Sequence, residues 1–323
     1  MTTPQILNAL ADPDILKVAA DALRRGEVVA FPTETVYGLG AHALDANAVA
    51  KIFEIKGRPA TNPLIVHVAD IEAAKKLTSE WPDIATQLAE RFWPGPLTII
   101  LPRAADVPDI VTAGLDSVGI RIPNHPVAQH LLTLAGVPVA APSANPYMGV
   151  SPTRADHVSQ GLPGLKYIVD AGPTDVGVES TVLTLVGRPR VLRPGKITLS
   201  MLREVIPDVE FDADTVVEEG AAPSPGLAKK HYSPSAKVII ADPSYRQAFQ
   251  GSRVGILRCT PDSPTTLDAM VIVLPSNADE YARGLYAALH ELDNAGCRTI
   301  IIEPPPYEEE WTAVWNRIRR AAG

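Results

Sequence analysis

Apolar positions recur along this chain with two alternating periods, and each change of period marks an element. Over residues 14–25 they return every three or four positions, which predicts an amphipathic helix ended by Gly26. Residues 26–31 are a short apolar run that reads as a strand. Pro32 stops it, having no N–H for a ladder. Thr33, Glu34 and Thr35 follow at once, and Gly38 and Gly40 predict a loop whose backbone can turn tightly or approach a ligand. Residues 45–56 read as a second helix, capped by Asp45, with Val49, Ile52, Phe53 and Ile55 on its apolar face. The glycine and two prolines of 56–63 end it, and 64–68 is strand-like. Two helical patterns within 71–92 break at Trp81-Pro82, and a turn at 93–96 leads to strands over 97–101 and 117–122. A helix over 127–135 precedes the run 137–141, which opens into Pro142-Ser-Ala-Asn145. Ser151-Pro152-Thr153 predicts a helix start, with Ser as N-cap and Pro in the first turn. Strands at 167–170 and 181–186, the run 191–195 and a helix over 198–206 complete this part.

Periodicity is then lost. Residues 207–236 are acidic, then rich in Ala, Pro, Ser and Gly, and read as a linker. Beyond it, strands at 237–241, 253–257, 271–274 and 299–302 alternate with helices at 279–294 and 309–321, the pattern of a small parallel α/β domain. The expected organisation is α/β throughout: one unit over 1–206, the linker over 207–236 and a second unit over 237–323.

Composition changes this picture little. The 323 residues are 46% hydrophobic and 20% charged, ample for a globular core. Neither a secretory signal nor a bilayer-spanning run is evident, so a cytoplasmic location and no membrane association are expected. Cys259 and Cys297 read as two buried free thiols, with a disulfide as the alternative. Net charge is −8; residues 1–210 carry 18 Lys+Arg against 22 Asp+Glu, and the rest 11 against 15. No basic domain stands out, which weighs against broad nucleic-acid binding and leaves room for a local basic pocket.

Candidate chemistry sits at the strand ends. Lys56 and Arg58 on a braced loop suit a polyphosphate, although an isolated pair of this kind is commonly a solvated one. Asn62 adds a neutral donor. His67 lies in an apolar strand, where a histidine is more often core than ligand. Arg121 in a strand needs water or an anion, and a carboxylate or phosphate would serve. Ser143 and Asn145 offer compact hydrogen-bonding groups after a strand. Ser151, at an expected helix N-terminus, could receive an anion or merely cap. Ser180 and Arg193 also flank strands. The phosphate loop, the dinucleotide glycine fingerprint, the nucleophile elbow and clustered His/Cys metal signals are missing, so a nucleotide site here would be of a less usual kind.

Taken in order, Pro32-Thr-Glu-Thr-Val-Tyr-Gly-Leu39, Lys56-Gly-Arg-Pro-Ala-Thr-Asn-Pro-Leu64, Trp93-Pro-Gly-Pro-Leu-Thr98, Arg121-Ile-Pro123 and Ala141-Pro-Ser-Ala-Asn145 resemble the threonylcarbamoyl-AMP synthases, the YrdC-like family. The second unit and linker resemble its two-domain form. The resemblance implies a twisted α/β domain with a concave active-site face, followed by a small Rossmann-like parallel domain. It implies that L-threonine, bicarbonate or CO2, and ATP give threonylcarbamoyl-adenylate and diphosphate, with Mg2+ accompanying the ATP. The product would supply adenosine 37 of tRNA through a separate threonylcarbamoyl transferase. Carried over by motif, Lys56 and Arg58 are the catalytic cations. Asn62, Ser117, Ser143, Asn145, Ser151 and Arg193 fall with them on the ATP side. Thr35, His67, Arg121, Ala141 and Ser180 fall on the threonine side, with Arg121 expected on the carboxylate and Ala141 contributing backbone. His231-Tyr-Ser-Pro234 resembles a flap that enters the site, and Tyr232 is expected to reach the nucleotide. The stretch before it, Leu227-Ala-Lys-Lys, departs from the family's Met-Lys-basic pattern. Two other readings compete. A carbamoyl-transfer protein of hydrogenase maturation would need cysteine-rich zinc segments that two cysteines do not supply. A non-catalytic RNA-binding module would bind tRNA in a salt-dependent way without turning over ATP.

Overall fold

Eleven strands of the first sheet run, in spatial order, Gln5–Asn8, Tyr167–Asp170, Val29–Phe31, Gly38–His42, Val139–Ala140, Ile65–His67, Ser117–Arg121, Leu97–Pro102, Thr181–Thr184, Arg190–Arg193 and Glu210–Phe211. The sheet is mixed, with parallel and antiparallel neighbours. A second sheet has the order Lys237–Ile240, Thr299–Ile302, Val254–Arg258, Ala269–Val273, all parallel. Both are seen in a computed structural model that describes residues 4–212, 230–241, 253–260 and 269–323. An α/β fold with a small parallel second unit is the expected class.

The helices form where apolar spacing and caps coincide. Ala46–Lys56 begins at Asp45, whose carboxylate accepts from the Asn47 and Ala48 amides, and it ends at Gly57 in the left-handed region. Leu16–Arg24 ends at Gly26, also at positive φ, as its position after the last periodic residue predicts. Alternation along Val29–Phe31 divides the first core. Val29 and Phe31 join the core shared with helices Leu16–Arg24 and Pro126–Ala135, while Ala30 joins the opposite core, which includes helices Ala46–Lys56 and Asp83–Phe92. In the second unit, helices Ala278–Asn294 and Thr312–Ala322 bring Tyr281, Leu285, Leu289, Val314 and Ile318 onto the parallel sheet. That core continues into the first unit through Val36, Val150 and Val178.

Several expectations change. Gly38 and Gly40 lie in a strand, not a loop. The connection is 32–37, and Gly38–His42 pairs antiparallel with Val29–Phe31. Glycine is needed there for closeness: a Cβ on Gly40 would sit 2.7 Å from the Phe31 ring and 2.8 Å from Val139. Ser151 does not start a helix. The helix is Ala155–Gly161 with Arg154 at its N-cap; Ser151 and Pro152 precede it outside any helix, and the Pro152 carbonyl accepts from the Tyr37 amide. Within the expected linker, Glu210–Phe211 pairs with Arg190–Arg193, and 230–236 packs against both units; 213–229, which includes Leu227-Ala-Lys-Lys up to residue 229, lies outside the described residues. Gln5–Asn8 is a strand that no periodicity marked. Cys259 and Cys297 are free thiols, the first half-buried and the second buried.

Candidate active site

Period-two alternation builds one face of the first sheet. Val66, Ile99, Leu101, Val118, Ile120 and Leu183 point into the helix-backed core. Their neighbours Ile65, His67, Thr98, Ile100, Gly119, Arg121 and Val182 line the other face, which forms two adjoining hollows sharing Ile65. The larger hollow is a cleft that the polar connection after Val29–Phe31 borders through Thr33 and Thr35. His231 and Tyr232 close it from the linker.

The cleft brings together Thr35, Arg58, His67, Arg121, Ala141, Ser143, Ser180, Arg193 and Tyr232. The smaller hollow is lined by Ser117 with Pro63, Leu64, Leu115 and Gly119, and is mainly apolar. Four other expected residues stand just outside the cleft lining. Lys56 is buried at the end of its helix, where its ammonium donates to the carbonyls of Ser143 (2.6 Å) and Asn145. It therefore ties the helix end to the Ser143–Asn145 turn. Burial and the neighbouring Arg58 charge push its ammonium well below the ordinary lysine range. Asn62 donates to the Tyr147 hydroxyl at 3.1 Å. Asn145 spans its own loop by donating to the Pro146 and Gly149 carbonyls, each at 2.8 Å. Ser151, fully buried, donates its hydroxyl to Glu179 Oε1 at 2.5 Å.

Within the cleft one arginine faces a carboxylate and two donate to neutral oxygens. Arg121 has Glu34 beside it at 2.8 Å, both almost fully buried, so the anion that a strand arginine requires is already supplied by the chain. The contact is off the hydrogen-bond direction, and neither Glu34 oxygen has a donor among the described residues. Arg58 braces its loop by donating to the Pro63 carbonyl at 3.0 Å, and burial lowers its guanidinium to about 10. Arg193 donates to the carbonyl and hydroxyl of Ser180 at 3.1 and 3.2 Å, and the same hydroxyl meets that of Thr98 at 2.8 Å. Burial, with the Arg121 charge added, pushes His67 down to about 3, so its imidazole is neutral at pH 7.

Tyr232 adopts φ +59°, in the left-handed region where side chains are rare. The segment is held there by the His231 amide donating to the Arg320 carbonyl (3.0 Å) and the Ser233 amide to that of Met148 (2.9 Å). The Tyr232 hydroxyl is buried without a hydrogen-bond partner among the described residues, as are His67 Nδ1, His231 Nδ1 and Asn145 Oδ1. Of these, Tyr232, His67 and His231 line the cleft, where a ligand can satisfy them. Among the described residues no cluster of three or more His, Cys, Asp or Glu could hold a metal ion, and no helix is long and apolar enough to cross a membrane.

Glu34, Glu179, Tyr286 and Arg317 went unassigned by motif. Arg317 reaches Glu179 across 138 residues of sequence. One signal was available: in Thr312–Ala322, Arg317 lies on the apolar stripe with Val314, Ile318 and Ala321, where a charge needs a buried partner.

Comparison with known proteins gives consistent results along the whole chain. A family profile described as "Telomere recombination" matches residues 21–195, and one described as "Threonylcarbamoyl-AMP synthase, C-terminal domain" matches 197–323. The threonylcarbamoyl-AMP synthase of Pyrococcus abyssi is 42% identical over 95% of this chain and 94% of its own length. That of Bacillus subtilis is 44% identical over 97% of this chain and 94% of its own. The crystal structure of P. abyssi Sua5 complexed with L-threonine superposes with a TM-score of 0.91 at 39% identity, covering 99% of this chain and 98% of that one.

Proposed function

The chain belongs to the two-domain threonylcarbamoyl-AMP synthases, and from that premise we propose that it joins L-threonine, bicarbonate or CO2, and ATP into threonylcarbamoyl-AMP and diphosphate. The product serves N6-threonylcarbamoyl modification of adenosine 37 in tRNA, through a separate transferase, in the cytoplasm. The observation that carries this reading is the convergence of Arg58, Arg121 and Arg193 with Thr35 and Ser180 on one buried cleft.

The threonine nitrogen, as a neutral amine, attacks the carbon of CO2 and loses a proton, giving a carbamate. A carbamate oxygen then attacks the α-phosphorus of ATP, and the bond from that phosphorus to the bridging oxygen breaks to release diphosphate. Such a displacement needs alignment and charge neutralisation more than a covalent enzyme intermediate. Arg58 and Arg193 neutralise the triphosphate. Lys56 holds Ser143 and Asn145 in place and offers its remaining N–H. Asn62, Ser143, Asn145 and Ser151 shape the nucleotide side, and the apolar hollow beside Ser117 suits the adenine. Thr35, His67, Ser180 and the Ala141 backbone receive threonine, whose carboxylate shares Arg121 with Glu34. Tyr232 hydrogen-bonds the nucleotide with its unpartnered hydroxyl. Both carboxylates at the site, Glu34 and Glu179, are already paired with arginines, so the donor set forms no resident metal cage, and Mg2+ would enter only with ATP, supplying charge neutralisation. In this reading residues 1–206 are the catalytic unit, 207–236 the flap and 237–323 the small second unit.

Diphosphate release from ATP, with L-threonine and bicarbonate each left out in turn, tests the proposal. Release that requires both, with a threonylcarbamoyl-adenylate mass in the product, is the expected result. Release indifferent to threonine, or none, would overturn it. Salt-dependent tRNA binding without ATP turnover would instead favour the binding-module reading.

A further inference from the structure

Arg317 is fully buried although it belongs to the last helix of the second unit. Its guanidinium donates to Glu179 Oε2 at 2.8 Å, to the Glu179 carbonyl at 3.1 Å, and to the Pro194 carbonyl at 2.9 Å. The two carbonyls belong to residues adjacent to Ser180 and Arg193, the cleft pair that hydrogen-bond each other. A single side chain therefore cross-links the two segments that present them. It also lies over the Tyr232 ring, 5.3 Å from its centroid. Tyr286, from the other long helix of the second unit, donates to the same Glu179 oxygen at 3.0 Å.

Two glycines make this joint tight. A Cβ on Gly195 would sit 2.3 Å from the Thr181 amide nitrogen and 2.8 Å from the Glu179 carbonyl, so segments 193–195 and 179–181 pack backbone on backbone. A Cβ on Gly177 would sit 2.4 Å from Arg283 Cα, so the approach to Glu179 lies directly on helix Ala278–Asn294. Glu179 itself lines the cleft. Left unpaired, its carboxylate would repel a triphosphate and draw on Arg193. Burial would raise this carboxyl, but the Arg317 and Arg193 charges outweigh that and hold it down at about 2.

We propose that Arg317 is a positioning residue for the adenylyl transfer: from the second unit it neutralises Glu179 and fixes Ser180, Arg193 and Tyr232 toward the substrates. The inference rests on the synthase reading above. It assigns the second unit a part in the active site, exerted through Glu179 and Tyr232, which line the cleft.

Steady-state diphosphate release by the full-length chain tests it, with ATP and L-threonine varied in turn. Arg317→Lys keeps the charge and loses the planar fork that serves Glu179, Pro194 and Asn316 at once. It is expected to fold, and kcat/KM should fall about tenfold or more, the loss expected for charge-assisted bonds. Arg317→Gln leaves Glu179 uncompensated and should raise the ATP KM. Adding Glu179→Gln removes that anion and should recover about threefold or more of the ATP KM, although the fold stays weakened; a merely structural role would make the losses add. A Lys variant within about twofold of wild type, or a double variant no better than Arg317→Gln alone, would overturn the proposal. If wild type releases no threonine-dependent diphosphate, the synthase reading fails instead. Calorimetric binding of a non-hydrolysable ATP analogue then decides: equal affinity in wild type and Arg317→Lys sinks the inference.

Discussion

At the residue scale, the cleft is defined by polar groups that the folded chain buries and leaves incomplete. Tyr232 is the clearest case, since its hydroxyl has no partner among the described residues and its backbone sits at φ +59°. An unmet buried hydroxyl costs stability, whereas a ligand that meets it gains a bond. Tyr232→Phe should therefore leave the melting temperature unchanged or slightly higher and weaken ATP by roughly two- to tenfold, read as KM or by calorimetry. Equal ATP affinity would remove the hydroxyl from the nucleotide site. Legibility at this scale was uneven. His67 and Arg121 stood out as polar residues in apolar strands and Arg58 as a cation on a braced loop, while Thr35, Ser180 and Arg193 drew their roles from the family motifs. Glu34 sat inside the same motif and still went unassigned, because nothing local says that Arg121 will lie 2.8 Å away.

At the element scale, a close backbone contact inside the first unit and a stacked histidine pair across the two units each carry a prediction. Gly195→Ala places a methyl group 2.3 Å from a backbone nitrogen, with no flexible side chain to give way. A loss of about 3 kcal/mol or more in urea denaturation is expected, with activity falling in parallel. His157, on Ala155–Gly161, stacks at 4.0 Å on His290, on Ala278–Asn294. Burial lowers both; the neighbouring His290 charge helps bring His157 to about 3, against Asp156, and Asp293 and Asp156 partly oppose the shift of His290. Their folded values lie below the unfolded histidine value near 6.5, so their contribution is full above that pH and is lost progressively as pH falls below it. Wild type should lose urea resistance between pH 7 and 5, and His290→Gln should lose less over the same interval. Parallel losses in the two proteins would exclude the pair as a source of the acid sensitivity. Elements were legible where caps and period agreed, as at Asp45 and Gly57, and misread where glycine served closeness rather than turning, as at Gly38 and Gly40.

At the scale of the whole molecule, a net charge of −8 surrounds a cleft rich in arginine. Local burial, not overall charge, must then hold the nucleotide, because exposed charges are screened within about 10 Å at ordinary salt. The two sheets share a core through Val36, Val150, Val178 and Tyr232, and they share the buried Glu179–Arg317 pair. Removing one member of such a pair leaves a buried charge and typically costs about 3–5 kcal/mol. Wild type should therefore melt in a single calorimetric transition. L-Threonine with a non-hydrolysable ATP analogue should raise that transition as one, by about 2.7 kcal/mol for a ligand at a hundred times its Kd. Two transitions, only one of them moved by ligand, would show that the units unfold independently.

Sequence alone determined what local rules control. Apolar period set the α/β class, caps and prolines set most element ends, and the ordered motifs from Pro32 to Asn145 marked the family. Tertiary structure decided what depends on contacts between distant segments. It placed Glu34 on Arg121, moved the expected helix start away from Ser151, and carried Arg317 across 138 residues to Glu179. The physical reason is range. Periodicity and capping act over one or two turns of chain, whereas a buried charge is tolerated only where the completed fold supplies its partner.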